Sequence, residues 1–177
     1  MDYEKLHPED FDAIVTGELT HYALWFEDEL VGIICDYFVG DTPLRNNFLR
    51  LLMRREGLSF QDKIEIVRAL VPELPPLQSP TSWASLLKRI EHLKSLRNAV
   101  AHGVGAERKG TNGFVVEVVT RSGKEKLIEI NPQNHRSLME DLEKLLQDLK
   151  EARQLAADAS VANPVQILRS VASKLEK

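Results

Sequence analysis

The sequence predicts an all-α fold: a bundle of four to five helices with a small β-hairpin inserted before the last main helix. Three observations predict it. Apolar residues recur at spacings of three and four over several long stretches, the period of one buried helix face. Leu, Ala, Glu, Lys and Arg abound while aromatic residues make up only 6% of the chain, and such a composition favours helix. In one place the apolar period changes to two, on both sides of a Gly-containing turn.

The first helix is expected from Pro8 to about Phe38, with Phe11, Ile14, Val15, Leu19, Tyr22, Phe26, Leu30, Ile33 and Ile34 among its apolar positions. Gly40-Asp41-Thr42-Pro43 ends it, because Gly and Pro break helical continuity. A second helix is expected from Leu44 to Glu56, stopped by Gly57. Ser59 reads as the N-cap of a third, Phe60 to Leu70, with Asp62 in its first turn. The proline-rich run Pro72 to Pro80 cannot continue a helix and is expected to be a loop. A fourth helix is expected from about Ser82 to His102, with Trp83, Leu86, Leu87, Ile90, Leu93, Leu96 and Val100 as its apolar stripe and Gly103 as a left-handed cap.

Residues 104–113 read as a polar, Gly-rich connector. Phe114 to Thr120 and Lys126 to Ile130 then alternate around Arg121-Ser122-Gly123-Lys124, the pattern of a hairpin. Asn131-Pro132 closes it, and Leu138, Leu142, Leu145, Leu146 and Leu149 mark a fifth helix over about Asn134 to Ala157. A two-stranded hairpin is marginal alone in water, so this one is expected to lean on helices or on a partner. The whole is expected to be one domain over 1–157, with the hairpin at about 113–130 and a tail or short terminal helix over 158–177.

Composition narrows the function. The 43% hydrophobic and 28% charged shares are those of a globular chain. A net charge of −4 argues against broad binding to nucleic acid, which shows as a basic domain, but leaves room for a local basic patch. The single cysteine, Cys35, sits in an apolar run and reads as a small buried hydrophobe. No apolar run reaches the length of a membrane span, and Met1-Asp2-Tyr3-Glu4 lacks a signal peptide's order, so a cytoplasmic protein without a membrane partner is expected. His7, His21, His92 and His135 show no ligand spacing, so no metal is expected, and no phosphate-binding glycine loop or other cofactor signature is present. Ser79, Ser82 and Ser85 have no triad order around them.

The chemistry concentrates in Leu96-Arg97-Asn98-Ala99-Val100-Ala101-His102-Gly103. Asn98 and His102 are one helical turn apart on one face, and Arg97 is one step round from Asn98. A cation, an amide and an imidazole can thus converge on one small volume. The residues between are Ala and Val, small enough for close helix approach. With no carboxylate in the stretch, the set suits an anionic ligand such as a phosphodiester.

These eight residues resemble the signature of HEPN domains, in which an Arg, often followed by Asn, precedes a His by a few residues at the end of a late helix. The helix order over about Asp10 to Leu155 is similar as well, including an insertion after the signature. The resemblance implies a HEPN-like bundle and a metal-independent endoribonuclease working as a homodimer, of the kind found in toxin–antitoxin and antiphage systems. On that resemblance Arg97 would hold the phosphate, Asn98 would orient His102 or touch the phosphate, and His102 would act as general base or acid. Attack by the 2′-OH would give a 2′,3′-cyclic phosphate. Some members of the family carry a Tyr two residues after the His that an antitoxin modifies; here that position is Val104, which speaks against control of that form.

Other charges are candidates around this core. Arg108 and Lys109 follow the signature by a few residues, and Lys88 and Arg89 precede it on the same helix; bordering the site, they would track an RNA backbone. Arg50, Arg54 and Arg55, and Arg121 and Lys124 at the hairpin turn, are weaker cases of the same kind. Glu27 and Asp28 belong to an acidic run that reads either as a solvated face or as the source of a carboxylate tuning Arg97 or His102. Two other readings stand beside the ribonuclease. One is a non-catalytic HEPN-like module that binds a partner protein, a nucleotide or RNA; an antitoxin protein as partner belongs to the ribonuclease reading. The other is a helical dimerisation domain whose signature residues only support an interface.

Overall fold

The computed structural model describes residues 2–77, 80–102, 106–107, 113–119, 123 and 125–158. It is mainly helical, with α1 (Pro8–Phe38), α2 (Arg45–Phe48), α3 (Phe60–Leu70) and α4 (Trp83–His102), then strands β1 (Ala106–Glu107), β2 (Phe114–Val119) and β3 (Glu125–Ile130), then α5 (Pro132–Asp158). The hairpin thus precedes the last helix, as the change of period predicts. The expected terminal helix and the connector residues Arg108 and Lys109 lie outside the described residues.

Local chemistry accounts for the starts of three helices. Ser59 caps α3 by accepting from the Asp62 backbone N–H at 3.2 Å, while the Asp62 carboxylate accepts from the Ser59 N–H at 2.8 Å. This reciprocal box satisfies two orphan donors of the first turn. Asn131 does the same for α5: its Oδ1 accepts from the N–H groups of Gln133 (3.1 Å) and Asn134 (3.0 Å), and Asn134 Oδ1 accepts from Asn131 N–H (2.7 Å). Pro132 is the first helical residue, where its missing N–H costs nothing. Ser82 Oγ accepts from the Ser85 N–H at 3.2 Å in front of α4.

Two elements differ from expectation. The helix expected over Leu44 to Glu56 is shorter: α2 passes into a π-helical turn at Leu49–Met53, and Arg54 N–H reaches back five residues to Leu49 O at 2.9 Å. Gly57 follows with φ +103°, a conformation open to glycine but strained for other residues. The hairpin is also one strand wider than expected. β1 adds antiparallel to β2 through Ala106↔Val115 and Glu107↔Phe114, giving the order β1-β2-β3. Two residues carry no readable period, so β1 has no signature of its own. β2 and β3 pair in continuous register from Phe114↔Ile130 to Val119↔Glu125.

Among the described residues packing divides the chain into two units, one drawn from 2–25 and 89–145 and the other from 26–88 and 146–158. In the first, Phe11, Val15 and Leu19 of α1, Ile90, Leu93 and Leu96 of α4, Val116 and Ile130 of the sheet and Leu142 and Leu145 of α5 are buried. The sheet leans on this core, with the Phe114 ring centroid 6.1 Å from that of Phe11. Each such side chain contributes about 1.5–3 kcal/mol by leaving water. In the second unit the buried set is Phe26, Leu30, Ile33, Ile34 and Cys35 of α1, Ile64 and Val67 of α3, Leu86 and Leu87 of α4, and Leu149, Ala152 and Ala156 of α5. Cys35 is the buried hydrophobe expected, and burial raises its thiol pKa, which leaves it unreactive.

Candidate functional site

Arg97, Asn98 and His102 occupy the last turns of α4, with His102 its final residue. Leu93 and Leu96 anchor this end in the core of the first unit. Anchoring from one side leaves Asn98, Ala101 and His102 exposed and Arg97 partly so. Arg97 Nη1 donates to Asn98 Oδ1 at 3.0 Å, so the amide holds the guanidinium. Arg97 Nε is buried and has no hydrogen-bond partner. A guanidinium has five N–H donors in a planar fork. One of them is spent on Asn98, and the buried Nε–H is unsatisfied until an acceptor arrives. The oxygens of an anion are the acceptors such a fork matches.

His102 follows Asn98 by four residues, one turn on along the same face. The site therefore offers a fixed cation, an amide that orients it, and an accessible imidazole with two ring nitrogens for proton transfer.

The other sequence candidates fall as follows. Lys88 is exposed. Arg89 turns toward α5, where its Nη2 donates to the Asp141 carbonyl at 3.4 Å. Arg50, Arg54 and Arg55 are exposed in and after the π-helical turn of the second unit. Arg108, Lys109, Arg121 and Lys124 lie outside the described residues. Glu27 forms an ion pair with Lys63, whose side chain is almost wholly buried, and Asp28 is exposed. Among the described residues no cluster of three or more His, Cys, Asp or Glu side chains is placed to hold a metal ion. The second unit has an open cavity of about 280 Å³ lined by Leu77, Thr81, Asp148, Glu151, Ala152 and Leu155; two carboxylates there disfavour a phosphate.

One polar cluster is not legible in the sequence. His135 is fully buried in the first unit, with Nε2 2.5 Å from Glu18 Oε2, and the Tyr3 hydroxyl donates to Glu18 Oε1 at 3.0 Å. The imidazole stands edge-on to Tyr3 and Phe11, at centroid distances of 5.3 and 5.7 Å. Burial, then the hydrogen bond to Glu18, raises the Tyr3 phenol pKa. The available signal was Glu18 itself, a partly exposed carboxylate between the buried Val15 and Leu19.

No helix of the described residues is long and apolar enough to cross a membrane. Comparison with protein families, with curated proteins and with solved structures finds no match.

Proposed function

We propose that this chain is a metal-independent endoribonuclease of HEPN type, working as a homodimer in a toxin or antiphage role in the cytoplasm. The observation that carries the reading is the end of α4: Arg97 bonded to Asn98, its Nε–H without a partner, and His102 exposed one turn on. In this reading a ribose 2′-oxygen attacks the adjacent phosphorus. The 2′-O–P bond forms and the P–O5′ bond breaks. His102 takes the proton from the 2′-OH or gives one to the departing 5′-oxygen, and two copies of the site in a dimer divide these tasks. Arg97 faces the charge that grows on the non-bridging oxygens. Asn98 keeps the fork in place. The products are a 2′,3′-cyclic phosphate and a 5′-hydroxyl.

The test is cleavage of total RNA and of tRNA with EDTA present, comparing the native chain with His102→Ala and Arg97→Ala. Loss of a positioned acid–base group lowers the rate by about 100-fold or more. Both side chains reach solvent, so both variants are expected to fold as the native chain does. Cleavage that survives both substitutions defeats the reading.

The acidic net charge of −4 favours a second reading, a non-catalytic HEPN-like module that binds a partner protein, a nucleotide or RNA. It predicts no cleavage by the native chain, with ligand binding that Arg97→Ala weakens.

A further inference from the structure

In the second unit the segment from the end of α1 through the π-helical turn leaves large apolar side chains in water. Leu44 is 65% exposed, Leu52 55%, Leu51 54% and Phe38 48%. Phe48 is half-buried beside Phe38, with ring centroids 6.4 Å apart. Leu44 and Phe48 lie one α-helical turn apart at the start of the segment, and Leu51 and Leu52 follow within its π-helical turn. The same segment carries Arg45, Arg50, Arg54 and Arg55 and no acidic residue between Thr42 and Arg55, in a chain of net charge −4. Arg45 is spent on Asp36, at 2.5 Å, and on the Gly40 carbonyl, at 3.2 Å. Arg50, Arg54 and Arg55 stand exposed. The segment includes the π-helical turn at Leu49–Met53, and such turns are rare and often found at functional sites.

We propose that this face, built from Phe38, Leu44, Leu51 and Leu52 with Arg50, Arg54 and Arg55, docks an acidic amphipathic helix of a partner protein. Charge complementarity selects the occupant. Leucines and a phenylalanine gain nothing from a phosphate backbone, which disfavours nucleic acid. A second copy placed about a two-fold axis would set the same arginines against one another. Residues 159–177 carry Arg169, Lys174 and Lys177 against one carboxylate, Glu176, so they share the sign of the surface. An acidic helix with an apolar stripe covers the leucines and supplies carboxylates to the guanidinium forks. This surface does not depend on the Arg97 site.

The test uses the full chain and a synthetic amphipathic helix, with leucine at its heptad a and d positions and glutamate on its flanks, followed through the methyl resonances of Leu44, Leu51 and Leu52. The expected result is saturable shifts of these methyls. Affinity falls about tenfold in R50E/R54E and in L51S/L52S. Because the four positions are exposed, both double variants are expected to keep the native circular dichroism. A lysine-flanked version of the peptide should prefer R50E/R54E over the native chain. The proposal is overturned by any of three results. One is no saturable shift at millimolar peptide. Another is shifts produced by phosphatidylglycerol vesicles or single-stranded RNA but not by the peptide. The third is shifts that appear on raising protein concentration alone, which would identify a second copy as the occupant.

Discussion

Glu18 lies three residues after Val15 and one before Leu19, both fully buried, and its carboxylate joins Tyr3 to His135. Its two oxygens serve one donor each, so removing them leaves a buried imidazole and a phenol without an acceptor. His135 Nδ1 already lacks a partner, and without Glu18 neither ring nitrogen would have one. Glu18→Ala is expected to cost about 2–3 kcal/mol of unfolding free energy in urea titrations. Glu18→Gln, which keeps an acceptor, should cost less than half as much; equal losses would show that the cost is packing rather than unpaired polar groups. A second residue-scale coupling joins Gly32 to Arg153. The Arg153 guanidinium lies over Gly32, bonded to Asp36 at 2.8 Å and to Glu29 at 3.1 Å. Burial disfavours its charge, but these carboxylates outweigh that and raise its pKa. A Cβ on Gly32 would come within 2.4 Å of Arg153 Cζ, so the guanidinium would have to leave. Gly32→Ala is therefore expected to destabilise the native chain. In an Arg153→Ala background the same change should stabilise by about 1 kcal/mol, the helix propensity of Ala over Gly. A double-mutant cycle measures the coupling, and additive effects would exclude it.

At the scale of elements, caps and periods do most of the specifying, and this is where the sequence was most legible. α3 runs over the expected residues because Ser59 and Asp62 form a box that any reader of Ser-x-x-Asp before an apolar run can find. Ser59→Ala should lower stability by about 1 kcal/mol. Thermal melts check this, and no change in Tm would mean that α3 is held by its buried Ile64 and Val67 alone. β2, β3, α4 and α5 were legible for similar local reasons, as were Arg97, Asn98 and His102, which are close in sequence and so close in space. What was not legible depends on distance along the chain. Glu18 and His135 are 117 residues apart, as are Asp36 and Arg153, and no local period links them. β1 is defined wholly by its partner β2, and the π-helical turn by one hydrogen bond that skips an extra residue. The helical pattern of Leu44 to Glu56 contained no hint of that skip.

At the scale of the whole molecule, protons tie stability to pH through two groups with opposite chemistry and the same sign. His92 is accessible to solvent, yet partial loss of hydration, and after it the positive charge of Lys126, lowers its pKa below 6.5. The unfolded chain then binds more protons than the folded one just below pH 6.5, so stability rises with pH there. The contribution of His92 is fully present above 6.5 and is lost as pH falls through the folded value. Asp62, held down by hydrogen bonds from the Ser59 side chain and backbone, lies below 3.8 and acts in a separate, more acid window. Tm measured against pH should therefore fall on acidification from neutrality, in a first step near the histidine range and a second near the carboxylate range. His92→Gln, which cannot titrate, should remove the first step and leave the second. Lys126→Ala should shrink the first step without abolishing it, because desolvation is the larger cause. Ser59→Ala should weaken only the second. A first step of unchanged size in His92→Gln would assign the acid sensitivity to a group other than this half-screened imidazole on α4.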